Sequence, residues 1–91
     1  MKLSDAQIYT LRRMNSGTRY FMRGDGLKGE EDRSVRYSVD RVNCKSIPVL
    51  YEKGLVEFCS DCLKLKSSWY SIRLSLLGKE ILQDLKTSGE K

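Results

Sequence analysis

Residues 46–56 restrict the fold of this chain more than any other segment, because they encode a short helix that runs straight into a strand. Ser46 is a common helix-capping residue, and Pro48 fits the first helical turn, where its missing N–H costs little. Gly54 then supplies the left-handed conformation that ends many helices. Strand-forming residues follow at once in 55–59. The sequence therefore predicts a helix over 46–54 with a strand directly after it.

A second strand is predicted over 69–75, where apolar and polar residues alternate. The polar stretch 60–68 separates it from the strand over 55–59. The two strands are therefore expected to form a hairpin with a basic tip. Trp69 and Tyr70 are interpreted as core and cross-strand packing.

Two further helices flank this region. Ser4 and Gln7 fit a capping box at the start of the first helix, and Asn-Ser-Gly at 15–17 ends it. The last helix is predicted over 75–86, with Ser75 as its cap and an apolar side. That side consists of Leu77, Ile81, Leu82 and Leu85. It is larger than a small domain needs, which allows a homodimer through the C-terminal helix.

Residues 18–42 give a mixed signal. Strand-forming side chains occupy 18–23, and three glycines within 24–29 are typical of an exposed loop. Apolar and polar residues then alternate over 33–40, which predicts a half-buried strand. A short helix within 36–43 is the alternative for this segment.

The order of these elements resembles that of winged helix-turn-helix DNA-binding domains. Residues 50–56 (Leu-Tyr-Glu-Lys-Gly-Leu-Val) resemble the passage from the recognition helix into the first wing strand of winged-helix repressors. Residues 74–82 resemble the end of the second wing strand and the helix after it. Residues 3–7 resemble the first helix of small winged-helix proteins, often encoded by phages or prophages. The resemblance implies an α+β domain with about three helices and a small antiparallel sheet that includes a wing hairpin.

The predicted domain extends over 1–86, and a polar C-terminal tail follows over 87–91. One segment departs from the family pattern. Winged-helix proteins normally place a clear second helix where this chain has residues 18–42, with their glycines and alternating pattern.

The resemblance also implies a DNA-binding surface. The helix from Ile47 is expected in the major groove, and the wing along the backbone or the minor groove. The candidate residues of the recognition helix and its flank are Arg36, Arg41, Asn43, Lys45, Ser46 and Tyr51. The candidate residues of the wing are Lys64 and Lys66. Asn43 suits an adenine edge, and the basic side chains suit phosphates.

The charge of the chain agrees with this expectation. Seventeen Lys and Arg against twelve Asp and Glu give a net charge of +5, which favours acidic partners, of which nucleic acid is the commonest. The resemblance implies double-stranded DNA as the partner. There is no histidine, so the usual general base and the commonest metal ligand are missing, and we expect neither catalytic residues nor enzymatic activity. No stretch reaches the roughly 18 apolar residues of a membrane span, so we expect a cytoplasmic protein without membrane contact.

Three cysteines remain to be placed: Cys44, Cys59 and Cys62. The last two have the C-x-x-C spacing that suits a zinc ion or a redox pair. Even with the first, they fall short of the four ligands of a closed zinc site. We therefore expect buried or half-buried structural thiols, with no metal and no cofactor.

These inferences predict a small DNA-binding protein that regulates transcription by occupying DNA, of the kind that phages and mobile elements encode. The alternative, from a different class, is a protein-interaction module on the same fold, such as a phage accessory factor or an inhibitor of a host protein. Its basic face would dock on an acidic protein surface. Salt-dependent binding to DNA distinguishes the two hypotheses.

Overall fold

Three helices are separated by three strands and then by two strands in the computed structural model, which describes residues 2–61 and 63–87. The helices are α1 (Asp5–Asn15), α2 (Ser46–Glu52) and α3 (Leu76–Thr87). The strands are β1 (Tyr20–Arg23), β2 (Gly29–Asp32), β3 (Arg41–Asn43), β4 (Val56–Phe58) and β5 (Trp69–Leu74). The described residues therefore confirm an α+β class with three helices and an antiparallel sheet.

The five strands form a single sheet in the order β3-β2-β1-β5-β4, and every neighbouring pair is antiparallel. The predicted hairpin is confirmed as β4 and β5, in which Val56 pairs with Leu74 and Phe58 with Ile72. β1 is third in this order and is therefore the central strand, with β2 on one side and β5 on the other. The hairpin is thus an extension of the sheet.

The helices cover one face of the sheet, which we call the inner face. Tyr20 and Met22 of β1 and Ile72 and Leu74 of β5 are buried there, while the residues between them are half-buried or exposed. This period of two is what a sheet with one covered face requires. The buried apolar residues form one core: Leu11, Tyr20, Met22, Ile47, Leu50, Leu55, Val56, Ile72, Leu74 and Leu82.

Local capping signals position α1. The Ser4 hydroxyl accepts from the Gln7 backbone N–H at 3.2 Å, and the Gln7 side chain accepts from the Ser4 N–H at 3.1 Å. This is the predicted capping box, and it satisfies two N–H groups that a helix start leaves without partners. Gly17 follows the helix with a φ of 106°.

α2 begins differently from the prediction. Lys45 is its N-cap and makes no side-chain capping hydrogen bond, so the prediction that Ser46 caps the helix is wrong. The cause is the preceding residue: the Cys44 N–H donates to the Gly29 carbonyl at 2.8 Å, and the Cys44 carbonyl accepts from the Ile47 N–H at 3.3 Å. The chain thus turns into the helix directly from the sheet. Gly54 ends the turn with a φ of 78°, as predicted.

Residues 33–40 do not form the predicted half-buried strand. Val35, Tyr37 and Val39 are 70, 91 and 87% exposed. The Val35 and Ser38 backbones exchange hydrogen bonds of 2.9 and 3.0 Å, which closes a tight turn. We call residues 33–40 the arm, since they join β2 to β3 beyond the end of the sheet.

The alternative of a short helix within 36–43 is also wrong, and residues 16–45, all of which are described, contain no helix. The second helix of a helix-turn-helix is therefore missing. Its place in the chain is taken by β1, β2 and β3. β2 begins at Gly29, the last residue of the predicted loop, and continues through three acidic residues. The Asp32 carboxylate accepts from the Ser34 N–H at 2.9 Å, and such a local bond favours a turn over a continuing strand.

α3 closes the domain over the core. The Ser75 hydroxyl accepts from the Gly78 N–H at 3.0 Å, so its predicted capping role is confirmed. Leu82 is buried, and Ile81 and Leu85 pack against the core, whereas Leu77 is 41% exposed. The predicted tail over 87–91 lies outside the described residues except for Thr87, which ends the helix. No helix within 2–61 and 63–87 has the length and apolar character to cross a membrane.

Candidate nucleic-acid interface

The strand directions divide the predicted site residues between two ends of the sheet. β1 ends at Arg23, opposite Trp69, the first residue of β5. The β1–β2 turn and the β4–β5 loop therefore lie at the same end, where the Gly24 N–H donates to the Ser68 carbonyl at 2.8 Å. The start of α2 is also at this end, because Ile47 packs against Gly29. We call this the α2 end, and the opposite end, with the arm and the α1–β1 loop, the arm end.

A shallow groove of about 450 Å³ lies beside the start of α2. It brings together Asn43 and Lys45, two predicted site residues, with Lys28 from the β1–β2 turn. The three side chains belong to exposed residues, and none of the described residues lining the groove is acidic. Ser46, the first residue of α2, is half-buried beside it. The groove therefore combines two ammonium groups with one amide, a suitable set for a phosphate and a neighbouring base edge.

Sequence reasoning missed Lys28. The turn that carries it was predicted from its glycines, but nothing in the local sequence pairs that turn with the start of α2. The link is the register of β2 and β3, in which Glu30 lies opposite Asn43 and the Cys44 N–H reaches the Gly29 carbonyl. That register depends on contacts distant in sequence.

The β4–β5 loop folds back onto a cluster of rings. Phe58 lies between Tyr51 and Tyr70, with edge-on contacts at centroid distances of 5.6 and 5.9 Å. The Lys64 ammonium lies 4.9 Å from the centroid of the Phe58 ring and 5.6 Å from that of Tyr70, and it also donates to the Ser60 carbonyl. Lys64 therefore has a structural role in shaping the loop.

Tyr51 is 39% exposed, and its ring also contacts the β1–β2 turn, 3.2 Å from the position of a Cβ at Gly26. Tyr51 and Lys64 line a second groove together with Arg73, Glu57 and Asp61, so its two positive and two negative side chains balance. Lys66 lies further along the loop and is exposed. Of the two predicted wing lysines, Lys66 thus has the more accessible side chain.

Neither Arg36 nor Arg41 lines the groove at the α2 end. The Arg41 guanidinium lies 3.9 Å above the Phe21 ring and 3.8 Å from the Glu30 carboxylate, on the face of the sheet opposite the helices. Arg36 lies in the turn of the arm, 5.9 Å from the Tyr37 ring centroid. The structure therefore does not unite these two arginines with Asn43 and Lys45.

A buried carboxylate organises the arm end. Glu31 is 5% exposed and accepts from Arg13 at 2.8 Å, Arg33 at 2.9 Å and the Tyr20 hydroxyl at 3.2 Å. Burial raises the pKa of Glu31, but the hydrogen bonds from Arg33 and Arg13 outweigh burial and lower it below its usual value. Burial, with Glu31 beside it, raises the pKa of Tyr20 to about 12. Arg13 and Arg33 therefore neutralise the buried Glu31 carboxylate, which is a structural role within the domain.

The cysteines divide between two environments. Cys44 is half-buried, with its sulfur 3.8 Å from the Thr10 hydroxyl, as expected of a structural thiol. Cys59 is exposed, so the expectation of burial is wrong for this residue. Cys62 lies outside the described residues, and with it the C-x-x-C pair. Within the described part of the chain, no group of three or more Cys, Asp or Glu side chains has the arrangement of a metal site.

Comparisons with protein-family models, with curated proteins and with solved structures find nothing that matches this chain. The class that the fold defines is an α+β domain with three described helices on one face of an antiparallel sheet. The side chains that this domain presents are therefore the basis for proposing a function.

Proposed function

We propose that the protein binds double-stranded DNA through its α2 end and regulates transcription in the manner of a winged-helix protein. The groove at the start of α2 is the observation that carries this proposal. Lys28 and Lys45 suit two phosphates there, and Asn43 in the same groove suits a base edge. Because no described carboxylate lines the groove, the approach of a phosphate meets no opposing charge within it.

The β4–β5 hairpin acts as the wing in this proposal. Its loop lies at the same end of the sheet as the groove, so one duplex can contact both. Lys66 supplies a phosphate contact, whereas Lys64, held over the Phe58 and Tyr70 rings, fixes the shape of the loop. The net charge of +5 adds long-range attraction to DNA.

A β-hairpin supports α2 in place of the missing second helix. Ile47 packs on Gly29, and the Tyr51 ring packs on Gly26. The β1–β2 hairpin therefore supports α2, which acts as the recognition helix in this proposal. The exposed side of α2 offers Val49, Tyr51 and Glu52, which provide few hydrogen-bonding groups for base edges. Phosphate contacts therefore dominate, and we expect weak discrimination between DNA sequences.

Fluorescence anisotropy of a labelled mixed-sequence duplex, measured from about 50 to 200 mM salt, tests this proposal. The variant is K28E/K45E, and the matched control R36E/K79E makes the same charge change at exposed residues outside the groove. We expect the K28E/K45E variant to bind at least tenfold more weakly and to lose about two units of the salt slope, since each lost phosphate contact removes about 0.9. Equal losses in both variants, or no binding by the wild type at about 50 mM salt, would contradict the proposal.

The exposed apolar residues of the arm favour a second candidate, a protein-interaction module. Val35, Tyr37 and Val39 are each at least 70% exposed within eight residues, and such clusters often mark docking sites. Arg36 beside them suits an acidic partner surface. A V35S/Y37S/V39S variant that keeps wild-type affinity for duplex DNA but loses a captured acidic protein favours this candidate. Loss of DNA affinity in the same variant argues against it.

Homodimerisation through α3 stays a prediction. Leu76 and Leu77 are 74 and 41% exposed and suit such a contact, whereas the rest of the apolar side packs into the domain. Light scattering after size exclusion separates the 10.5 kDa monomer from a dimer of twice that mass. A dimer that L76S/L77S converts to a monomer supports the prediction, and a wild-type monomer at high concentration contradicts it.

A further inference from the structure

The face of the sheet opposite the helices, here called the outer face, presents two aromatic rings. In β1, Tyr20 and Met22 are buried on the inner face, so Phe21 between them belongs to the outer face. In β5, burial of Ile72 and Leu74 places Trp69 on the outer face by the same alternation, so the prediction that Trp69 belongs to the core is wrong. The helices pack on the inner face, and both rings remain only half-buried.

The two rings are close neighbours on adjacent strands. Phe21 pairs with Ser71 and Trp69 pairs with Arg23, so the rings are diagonal partners in an antiparallel ladder. Diagonal partners of this kind lie about 7–8 Å apart, within reach of aromatic side chains. Aromatic pairs on open sheets of RNA-binding domains stack two or three successive bases in the same manner. The outer face therefore has the geometry of a two-base platform.

One contact indicates that a planar group fits on this platform. The Arg41 guanidinium lies 3.9 Å above the Phe21 ring, at the distance of a stacked plane. Unpaired bases stack on aromatic rings and on guanidinium planes alike. A base can thus replace Arg41 on the ring or stack on the guanidinium from above.

Arginines surround the rings, and carboxylates hold several of them in place. The outer-face arginines are Arg23, Arg41 and Arg73. Arg73 contacts Glu57 at 2.8 Å and Arg23 contacts Asp25 at 2.8 Å. A guanidinium has five N–H donors, so one carboxylate leaves donors for a phosphate.

The outer face carries little net charge. The strand carboxylates Glu30, Asp32 and Glu57 equal the three arginines in number. Stacking must therefore supply much of any affinity, and the salt dependence must be shallower than at the lysine-lined groove of the α2 end. The two surfaces thus differ in the ligand that they suit.

We propose that the outer face binds single-stranded nucleic acid, with one base stacked on Trp69, a neighbouring base stacked on Phe21, and the flanking arginines on the phosphates. Bases within a duplex are already stacked on each other, so duplex DNA does not suit this face. This binding is separate from the proposed duplex contact, because it depends on Phe21 and Trp69. The duplex contact depends on the groove at the α2 end, which neither ring lines.

Trp69 gives a direct test, because it is the only tryptophan among the 91 residues. We would titrate the unlabelled protein with oligo(dT) and oligo(U) of about 12 nucleotides, within the usual site sizes for single strands. A stacked base quenches the Trp69 emission, so we expect saturable quenching by the single strands and weaker quenching by a duplex, whose bases are already stacked on each other. The two oligomers differ in the sugar and in the thymine methyl group, and a preference for either of them keeps the proposal.

Variants separate stacking from general damage. Phe21→Leu keeps an apolar side chain but removes the ring, and we expect about tenfold weaker quenching affinity with an unchanged circular dichroism spectrum. The matched control Tyr37→Leu removes a ring that is 91% exposed on the arm and should bind as the wild type does. The K28E/K45E variant should also keep its quenching.

Three results overturn the proposal: no quenching by either single strand at about 50 mM salt, unchanged affinity in a folded Phe21→Leu variant, or loss of quenching in K28E/K45E. The last result would place single strands at the α2 end. Failure of duplex binding leaves the quenching prediction intact, so the two proposals fail separately.

Discussion

Gly29 is the point at which β2 meets α2, and the Gly29→Ala substitution tests how the helix is held. A Cβ at this position lies 2.3 Å from Ile47 Cβ, 2.5 Å from Cγ2 and 2.9 Å from Cγ1. Well-packed carbon atoms are about 3.5–4.0 Å apart, so α2 must retreat by about 1.5 Å. Rotation of the Ile47 side chain cannot relieve the contact, because the nearest atom is fixed to the backbone.

We expect the Gly29→Ala variant to lose about 1–3 kcal/mol of unfolding free energy, the usual cost of overpacking. For a domain of this size, each kcal/mol lowers the melting temperature by about 4–8 °C. Urea unfolding followed by circular dichroism measures the loss. The neighbouring control Glu30→Ala changes an outward side chain with one 3.8 Å ion pair and should stay within about 0.5 kcal/mol of the wild type. A Gly29→Ala variant as stable as this control refutes the packing of α2 on β2.

Two further substitutions test the polar contacts that hold the fold. Hydrogen bonds from Arg33 and Arg13 outweigh burial and lower the pKa of Glu31, so the carboxylate stabilises the fold above its usual pKa of about 4.3 and loses this effect as the pH falls through the lowered value. Urea unfolding from pH 6 to 3 should therefore show a loss of stability that is smaller in Glu31→Gln, and equal slopes contradict the network. Ser75→Ala removes the acceptor of the Gly78 N–H and should cost about 1–2 kcal/mol in the same assay, whereas a neutral effect contradicts the cap.

The elements that the sequence predicts well depend on neighbouring residues. The Ser4–Gln7 capping box, the Gly54 turn and the β4–β5 hairpin each use signals within a few residues, and the structure confirms all three. β4 is one residue shorter than predicted at each end, and β5 is one residue shorter at its C-terminal end. Local signals are sufficient in these cases, because the capping partners are three residues apart and the hairpin strands follow each other in the chain.

Long-range pairing explains the wrong predictions. β2 is Gly-Glu-Glu-Asp, a poor strand sequence, and it forms because β1 pairs with it and Ile47 requires a residue without a Cβ at Gly29. Val35, Tyr37 and Val39 alternate as in a half-buried strand but lie in the arm, beyond the cover of any described helix. Alternation indicates a strand only where a partner layer exists.

The candidate site also combines residues that the sequence indicates with residues that only the tertiary fold brings there. Asn43 and Lys45 were predicted from their position before α2, and the groove contains both. Lys28 joins them through sheet register, and Lys64 is drawn onto the Phe58 ring, which the sequence does not indicate. Charge can be counted from sequence, but its accessibility depends on the tertiary fold.

Duplex DNA is proposed to contact the α2 end of the sheet. The most direct test is a titration of the ¹⁵N-labelled protein with a mixed-sequence duplex, followed by amide chemical shifts, which a 10.5 kDa chain allows. We expect progressive shifts in residues 26–29, 43–47 and 63–67, with little change in the arm. Shifts confined to residues 33–40 or to the outer face, or no shifts at about 50 mM salt, would contradict the claim.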